Sequence, residues 1–283
     1  MMSVRISATR FTIVFALSLL FNSLYSNSLP VDTLEQLRVE KVSSLPVKKN
    51  NRAEFVLRAF FPTTGNALLR KNMSNWLNGL LSSLTQIERP DVDYAGEPDG
   101  WISYYEKAYL KRVKKEIGEQ LKLRDKDGGP INYVVEVNVK RAYETAKLIT
   151  YQAEAYAYGG GAHGMSYTVY ASFRKSDGRL LTWNDVVLGK QQARLSPLIV
   201  DGLSQYFGMT DFTALKGRLQ IEGDYSRTKF PLPQGNPGLS ADGLHVQYGL
   251  YEIAPYAAGA PSVSIPYARL KNILTPVAKQ MIK

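Results

Sequence analysis

The sequence predicts an α+β fold in two parts, with largely antiparallel sheets packed by helices. Several stretches alternate apolar and polar residues, which is the period of a half-buried strand. Two longer stretches repeat apolar residues at three- and four-residue steps, as amphipathic helices do. No regular series of strand, helix and strand runs along the chain, so a doubly wound parallel sheet is not expected.

Composition excludes several classes of protein. Of 283 residues, 45% are hydrophobic and 21% are charged, which is enough apolar surface for packed cores and too much for a disordered chain. Cys is absent and His occurs twice, so disulfides, thiolate metal sites and cysteine nucleophiles are excluded. We expect neither a metal nor a cofactor. The net charge is +10, but the sequence contains no motif that reads nucleic-acid bases, so nucleic acid is not an expected partner.

The first residues have the three parts of a secretory signal. Arg5 and Arg10 precede an apolar run over residues 11–21, and Ser26 and Ser28 are spaced like a cleavage site. The apolar run is about half of the ~20 residues that a spanning helix needs, which favours cleavage over an uncleaved membrane anchor. We therefore expect a signal peptide over residues 1–28, no transmembrane span after its removal, and a periplasmic or secreted protein.

The first half of the mature chain reads as strands around two helices. Residues 29–51 are polar and predict an N-terminal tether or a loosely docked first strand, and residues 53–61 predict a buried strand. Apolar steps predict helices over residues 69–84 and 102–121, separated by an acidic, turn-rich stretch. Strands are expected at 131–139 and within 143–158. We place an N-terminal α+β domain at 52–150 and a C-terminal α+β domain at 151–283.

The second half begins with a hairpin over residues 167–181. Thr182 and Asp185 are then spaced like a capping box. Helices are expected over residues 191–206, with an interruption near Pro197, and over 212–219. Short strands at 244–248 and 262–265 follow, and a single terminal helix is expected to begin at Pro266 with Val277 facing inward.

A glycine-rich bend at residues 158–164 is the most unusual segment. Its glycines permit positive φ and close backbone approach, but neither a phosphate loop nor a dinucleotide fingerprint is present. His163 there is either a general base or a histidine that bonds backbone in a tight bend. We favour the structural interpretation, because no carboxylate or nucleophile elbow lies near it in sequence.

Tyrosines flank this bend and crowd the C-terminal segment. Aromatic rings with polar tips suit glycan or protein recognition, and they suit half-buried strands equally well. Glu252 is a lone carboxylate in an apolar run, so it needs a partner if it is buried. The candidate ligand-binding residues are Tyr158, Gly160, His163, Tyr167, Tyr251, Glu252 and Tyr256.

Three segments carry a resemblance to a known family: residues 158–164, 181–187 and 243–267. In this order they resemble a bacterial envelope family of domains of unknown function, which includes the ectodomain of the lysozyme-sensing RsiV anti-sigma factor and an accessory domain of a peptidoglycan deacetylase. The resemblance implies an α+β fold whose C-terminal part is similar to a subdomain of the Hsp70 ATPase, without implying ATP binding.

Residues and resemblance together favour a binding protein over an enzyme. We expect an exported, non-enzymatic cell-envelope protein that recognises wall glycan or an envelope-directed protein such as a lytic enzyme. The alternative is a hydrolase acting on cell-wall material, with His163, Tyr158 and Glu252 near one cleft.

Overall fold

The computed structural model describes residues 33–47, 50–90, 98–123 and 129–283. The predicted signal peptide and most of the acidic stretch between the two helices lie outside these residues. Among the described residues, no helix is both long and apolar enough to cross a membrane.

A five-stranded sheet, in the order β1-β2-β3-β4-β5, forms the larger layer. All neighbours in it pair antiparallel except β2 and β3, which are parallel. The segment expected as a tether or a docked strand forms β1, which pairs with β2 along its whole length. The strands are β1 (Gln36–Val47), β2 (Asn51–Pro62), β3 (Asn132–Glu144), β4 (Leu148–Tyr158) and β5 (Met165–Arg174).

Two helices connect β2 to β3 and cover one face of this sheet, as a parallel pair requires a long crossover. Helix α1 (Ala67–Thr85) begins at Asn66, whose side chain accepts a hydrogen bond from the Leu68 amide. Its buried stripe includes Leu69 and Leu77. Helix α2 (Pro98–Leu123) buries its predicted apolar face against the strands. The two predicted amphipathic helices are therefore confirmed.

Short elements build the remainder around a second hydrophobic cluster. A three-stranded antiparallel sheet has the order β6-β7-β8. The capping box at Thr182 and Asp185 is present at the start of α3. The elements are α3 (Trp183–Val186), α4 (Gln192–Phe207), α5 (Phe212–Lys216), β6 (Gly238–Leu239), β7 (Leu244–Gln247), β8 (Ser262–Ile265), α6 (Tyr267–Leu270) and α7 (Pro276–Met281).

Two expectations about prolines in this half are wrong. Helix α4 runs through Pro197 without interruption, since the burial of Leu195, Ile199 and Leu203 outweighs the missing backbone bond. The expected single terminal helix is split into α6 and α7.

The split lies at Thr275, which precedes Pro276 at the start of α7 and makes tertiary hydrogen bonds. Its amide donates to the Val186 carbonyl over 2.9 Å, and its hydroxyl accepts from the Ala278 amide to cap α7. Val277, expected to face inward, is 40% exposed. The mixed α+β class holds, while the proposed division into domains after residue 150, a position that β4 crosses, stays a prediction.

Candidate functional site

The glycine-rich bend forms the tip of the hairpin between β4 and β5. Gly160 and Gly161 have φ values of 84° and 97°, which favour glycine. The Tyr158 hydroxyl donates to the Gly161 carbonyl over 3.0 Å. At Gly164 a Cβ atom would lie 2.3 Å from the Tyr156 hydroxyl oxygen, so a ring packs where a side chain would otherwise stand. The bend is thus braced by the tyrosines of its own strand.

His163 stacks on Tyr256 from the loop that follows β7. The ring centroids are 3.8 Å apart and the planes differ by 21°. The Tyr256 hydroxyl donates to the Gly164 carbonyl over 2.7 Å, which joins this loop to the glycine bend. The His163 side chain is exposed, and its Nδ1 lies 3.4 Å from the same carbonyl.

Tyr251 extends the stack toward solvent. Its ring centroid is 5.7 Å from that of Tyr256, and 53% of the residue is exposed. Its backbone has φ 64°, a left-handed conformation that is uncommon for a bulky residue. Backbone strain of this kind is concentrated at functional sites. We name His163, Tyr251 and Tyr256 the aromatic ledge.

Glu252 holds the loop that carries the ledge. Its Oε1 accepts from the Gln234 amide over 2.7 Å, and its Oε2 accepts from the Gly249 amide over 2.6 Å. These backbone amides supply the partners that a carboxylate in an apolar run needs. Glu252 is therefore a positioning residue of the loop, and it does not orient His163.

The structure brings the predicted site residues together only in part. Tyr158 and Gly160 share the bend with His163, but Tyr167 projects from β5 toward the helices, where burial raises its pKa. Among the described residues, His163 has no hydrogen bond to a carboxylate or a hydroxyl. The arrangement therefore suits the stacking of a flat apolar surface better than proton transfer.

The second histidine, His245, is half-buried on β7. His245 stacks on Tyr170 with ring centroids 5.0 Å apart, and its Nε2 lies 2.9 Å from the Ser240 hydroxyl. Burial lowers its pKa, although the nearby Asp242 carboxylate opposes that shift. Within the described part of the chain, no three His, Asp or Glu residues gather as a metal site would require.

A groove that the sequence did not indicate lies along β5. It is a cavity of about 630 Å³ between α1 and the loop at Gly235 and Asn236. A smaller cavity of about 100 Å³ continues it toward Glu252. Both are lined by Val169 and Tyr170. Alternation identifies β5 as a strand, but no local signal indicates that its edge is open.

Comparison with known proteins places these features in a family context. Residues 184–268, which carry Tyr251, Glu252 and Tyr256, match the family model "Protein of unknown function (DUF3298)". No curated protein matches the chain.

Solved structures resemble the chain over most of its length. A DUF3298-family protein from Bacteroides fragilis has 20% identity and a TM-score of 0.70, covering 89% of this chain and 98% of its own. One from Pseudomonas aeruginosa has 16% identity and a TM-score of 0.62, covering 87% of this chain and 97% of its own. The chain therefore carries a DUF3298 match over residues 184–268 and shares the fold of these two DUF3298-family structures.

Proposed function

We propose that this protein is an exported, non-enzymatic binding protein of the bacterial cell envelope that recognises wall glycan at the aromatic ledge. The observation that supports this proposal most directly is the stack of Tyr251, Tyr256 and His163. The outermost ring, Tyr251, is half-exposed and lies on a strained backbone. Exposed aromatic faces with polar edges suit the apolar faces and hydroxyl rims of sugar rings.

The ledge is held in place before any ligand binds. The Tyr256 hydroxyl is bonded to the glycine bend, and Glu252 is bonded to two backbone amides. A preorganised site loses little conformational entropy on binding, which favours affinity. The rings therefore offer a rigid surface.

Family resemblance supports an envelope role by analogy. The glycine bend and the C-terminal motifs resemble those of the lysozyme-sensing ectodomain and the deacetylase accessory domain, both of which work at the cell wall. The similarity of the C-terminal part to a subdomain of the Hsp70 ATPase stays a prediction. An envelope-directed protein, such as a lytic enzyme, is the other target that this analogy suggests.

Co-sedimentation with purified peptidoglycan sacculi tests the proposal. We expect wild-type protein to sediment with sacculi, binding to persist as salt screens the protein's net positive charge, and Tyr251→Ala to weaken it by about tenfold. Tyr104→Ala is the matched control, because Tyr104 is a tyrosine 36% exposed on α2. Equal binding by both variants, or binding lost once charges are screened, would contradict glycan recognition at the ledge.

The hydrolase alternative makes a different prediction in the same assay. It requires release of soluble wall fragments that His163→Ala abolishes. Binding by the wild type without release of soluble fragments supports the non-enzymatic proposal.

A further inference from the structure

Strand β5 is the last strand of the five-stranded sheet, and most of its outer edge has no strand beside it. The chain returns after the hairpin turn and pairs with the end of β5 through a bridge between Phe173 and Leu180. It then leaves the edge at Thr182 to begin α3. The remainder of β5, from Met165 to Ala171, has β4 on one side only.

Hydrogen bonds between β5 and the returning segment, residues 179–181, show which backbone groups of β5 face the open edge. The Leu181 amide donates to the Ser172 carbonyl over 2.8 Å, and the Arg174 amide donates to the Arg179 carbonyl over 2.9 Å. In a strand, the N–H and C=O of alternate residues face the same edge. The same groups of Ser166, Thr168 and Tyr170 therefore face outward, and in the described chain no other residue bonds them.

The groove described above lies against these groups. Helix α1 forms one wall with Trp76 and Leu80, and the loop at Gly235 and Asn236 forms the other. The groove ends at the hairpin turn, where this chain's own return segment leaves the edge. The groove therefore occupies the position that a sixth strand would take beside β5.

The two edges of the sheet differ in how they are protected. At the opposite edge, β1 carries Arg38, Glu40, Lys41 and Pro46, which discourage pairing with another chain. From Met165 to Phe173, β5 carries neither a charged residue nor a proline, and its pairing with β4 has no bulge. An unprotected edge of this length is a hazard unless it has a partner.

We propose that the open edge of β5 binds an extended peptide segment of a partner protein, which adds to the sheet as a sixth strand and alternates apolar and acidic side chains. Unpaired main-chain donors and acceptors at strand spacing are what an extended polypeptide recognises. This site is distinct from the aromatic ledge and does not depend on glycan binding.

The groove walls specify the side chains of that peptide. Residues opposite Tyr167 and Val169 lie on the α1 side of the sheet and contact Trp76 and Leu80, which requires apolar side chains. Arg89 and Arg179 also line the groove, and Asp177 is the carboxylate among its lining residues. Arg174 pairs with Asp177 and Arg179 pairs with Asp185, so among the described residues Arg89 is the groove cation without a carboxylate partner. Since the whole chain is also positive, acidic side chains are favoured in the peptide.

A capped, fluorescent peptide of alternating Val and Glu, about seven residues long to span the open part of β5, is the probe. We expect saturable binding to the full-length protein by fluorescence anisotropy, and weaker binding of the matching Val and Lys peptide. Two N-methylated versions of the probe keep its charge, one methylated at every Val and one at every Glu. Since only alternate amides face β5, one version should lose at least about tenfold in affinity and the other should bind as before.

Thr168→Pro tests the same edge from the protein side. Proline removes an outward-facing amide without removing a bond to β4, so the fold should persist and peptide affinity should fall by about tenfold. Thr168→Val, which keeps that amide, is the control. If Thr168→Pro fails to fold, the two N-methylated peptides still test whether main-chain bonds to β5 are needed.

Absence of saturable binding by the wild type, or equal affinity of both N-methylated versions, would overturn the proposal. Sacculus binding should be unchanged in Thr168→Pro, which separates this site from the ledge.

Discussion

At the scale of single residues, Tyr251 combines exposure with backbone strain. A φ of 64° costs an L-residue about 1–2 kcal/mol and costs glycine much less. We therefore expect Tyr251→Gly to be about 1 kcal/mol more stable than Tyr251→Ala, measured by urea denaturation, while both variants bind sacculi about tenfold more weakly than wild type. The comparison cancels the loss of the ring, which both variants share. Equal stability of the two variants would mean that the left-handed backbone at position 251 does not destabilise the fold.

At the scale of elements, two carboxylates hold the turn between β5 and α3. The bond from the Arg174 guanidinium lowers the pKa of Asp177 to about 2. Burial acts to raise the pKa of Asp185, but the backbone and hydroxyl of Thr182, together with Arg179, lower it overall. Both carboxylates are thus easier to ionise in the folded state than in the unfolded state.

The sign of the resulting pH dependence follows from these shifts. A lowered folded-state pKa contributes stability above about pH 4, and that stability is lost as the pH falls toward about 2. We expect Asp177→Asn to be less stable than wild type near neutral pH and to lose less stability on acidification, measured by urea denaturation across that range. Asp224→Asn is the control, since the Asp224 side chain is 90% exposed. If Asp177→Asn lost as much stability on acidification as the wild type does, the pair of Asp177 with Arg174 would not have this role.

At the scale of the whole molecule, the buried hydroxyl of Ser172 joins the large sheet to the small one. It lies 2.9 Å from the Thr150 hydroxyl on β4 and accepts from the Leu239 amide on β6 over 3.0 Å. Ser172→Ala leaves that buried amide without its partner, which costs about 1–3 kcal/mol. Chemical denaturation should show this loss, whereas Ser166→Ala, an exposed change on the same strand, should alter stability by less than about 0.5 kcal/mol. An equal effect of the two changes would mean that the hydroxyl does not join the sheets.

Periodicity predicts elements that are long and bury one face. Helices α1 and α2 and strands β2 and β3 follow their apolar spacing, because burial of that face against a sheet is their main stabilisation. The short C-terminal elements are less predictable. Pro197 does not interrupt α4, because contacts distant in sequence bury the apolar face of that helix. The segment after Pro266 breaks at Thr275, where the following Pro276 disfavours helical backbone and the Thr275 amide bonds the distant Val186 carbonyl.

The candidate site was predictable as residue types and not as an arrangement. The glycine bend and the tyrosines around it identify His163, Tyr251 and Tyr256. Their stacking depends on the hydrogen bond from the Tyr256 hydroxyl to the Gly164 carbonyl, which joins segments far apart in the chain. The role of Glu252 likewise depends on two backbone amides, Gln234 and Gly249, that only the folded loops bring to it.

The sequence by itself determined the α+β class, the two long helices and the exclusion of cysteine chemistry, because these follow from composition and from periods of local structure. Only the tertiary structure decided that three rings form a ledge, that Glu252 holds a loop, and that β5 keeps an open edge. Those features depend on which distant segments meet, and no local pattern specifies the strand that is missing beside β5.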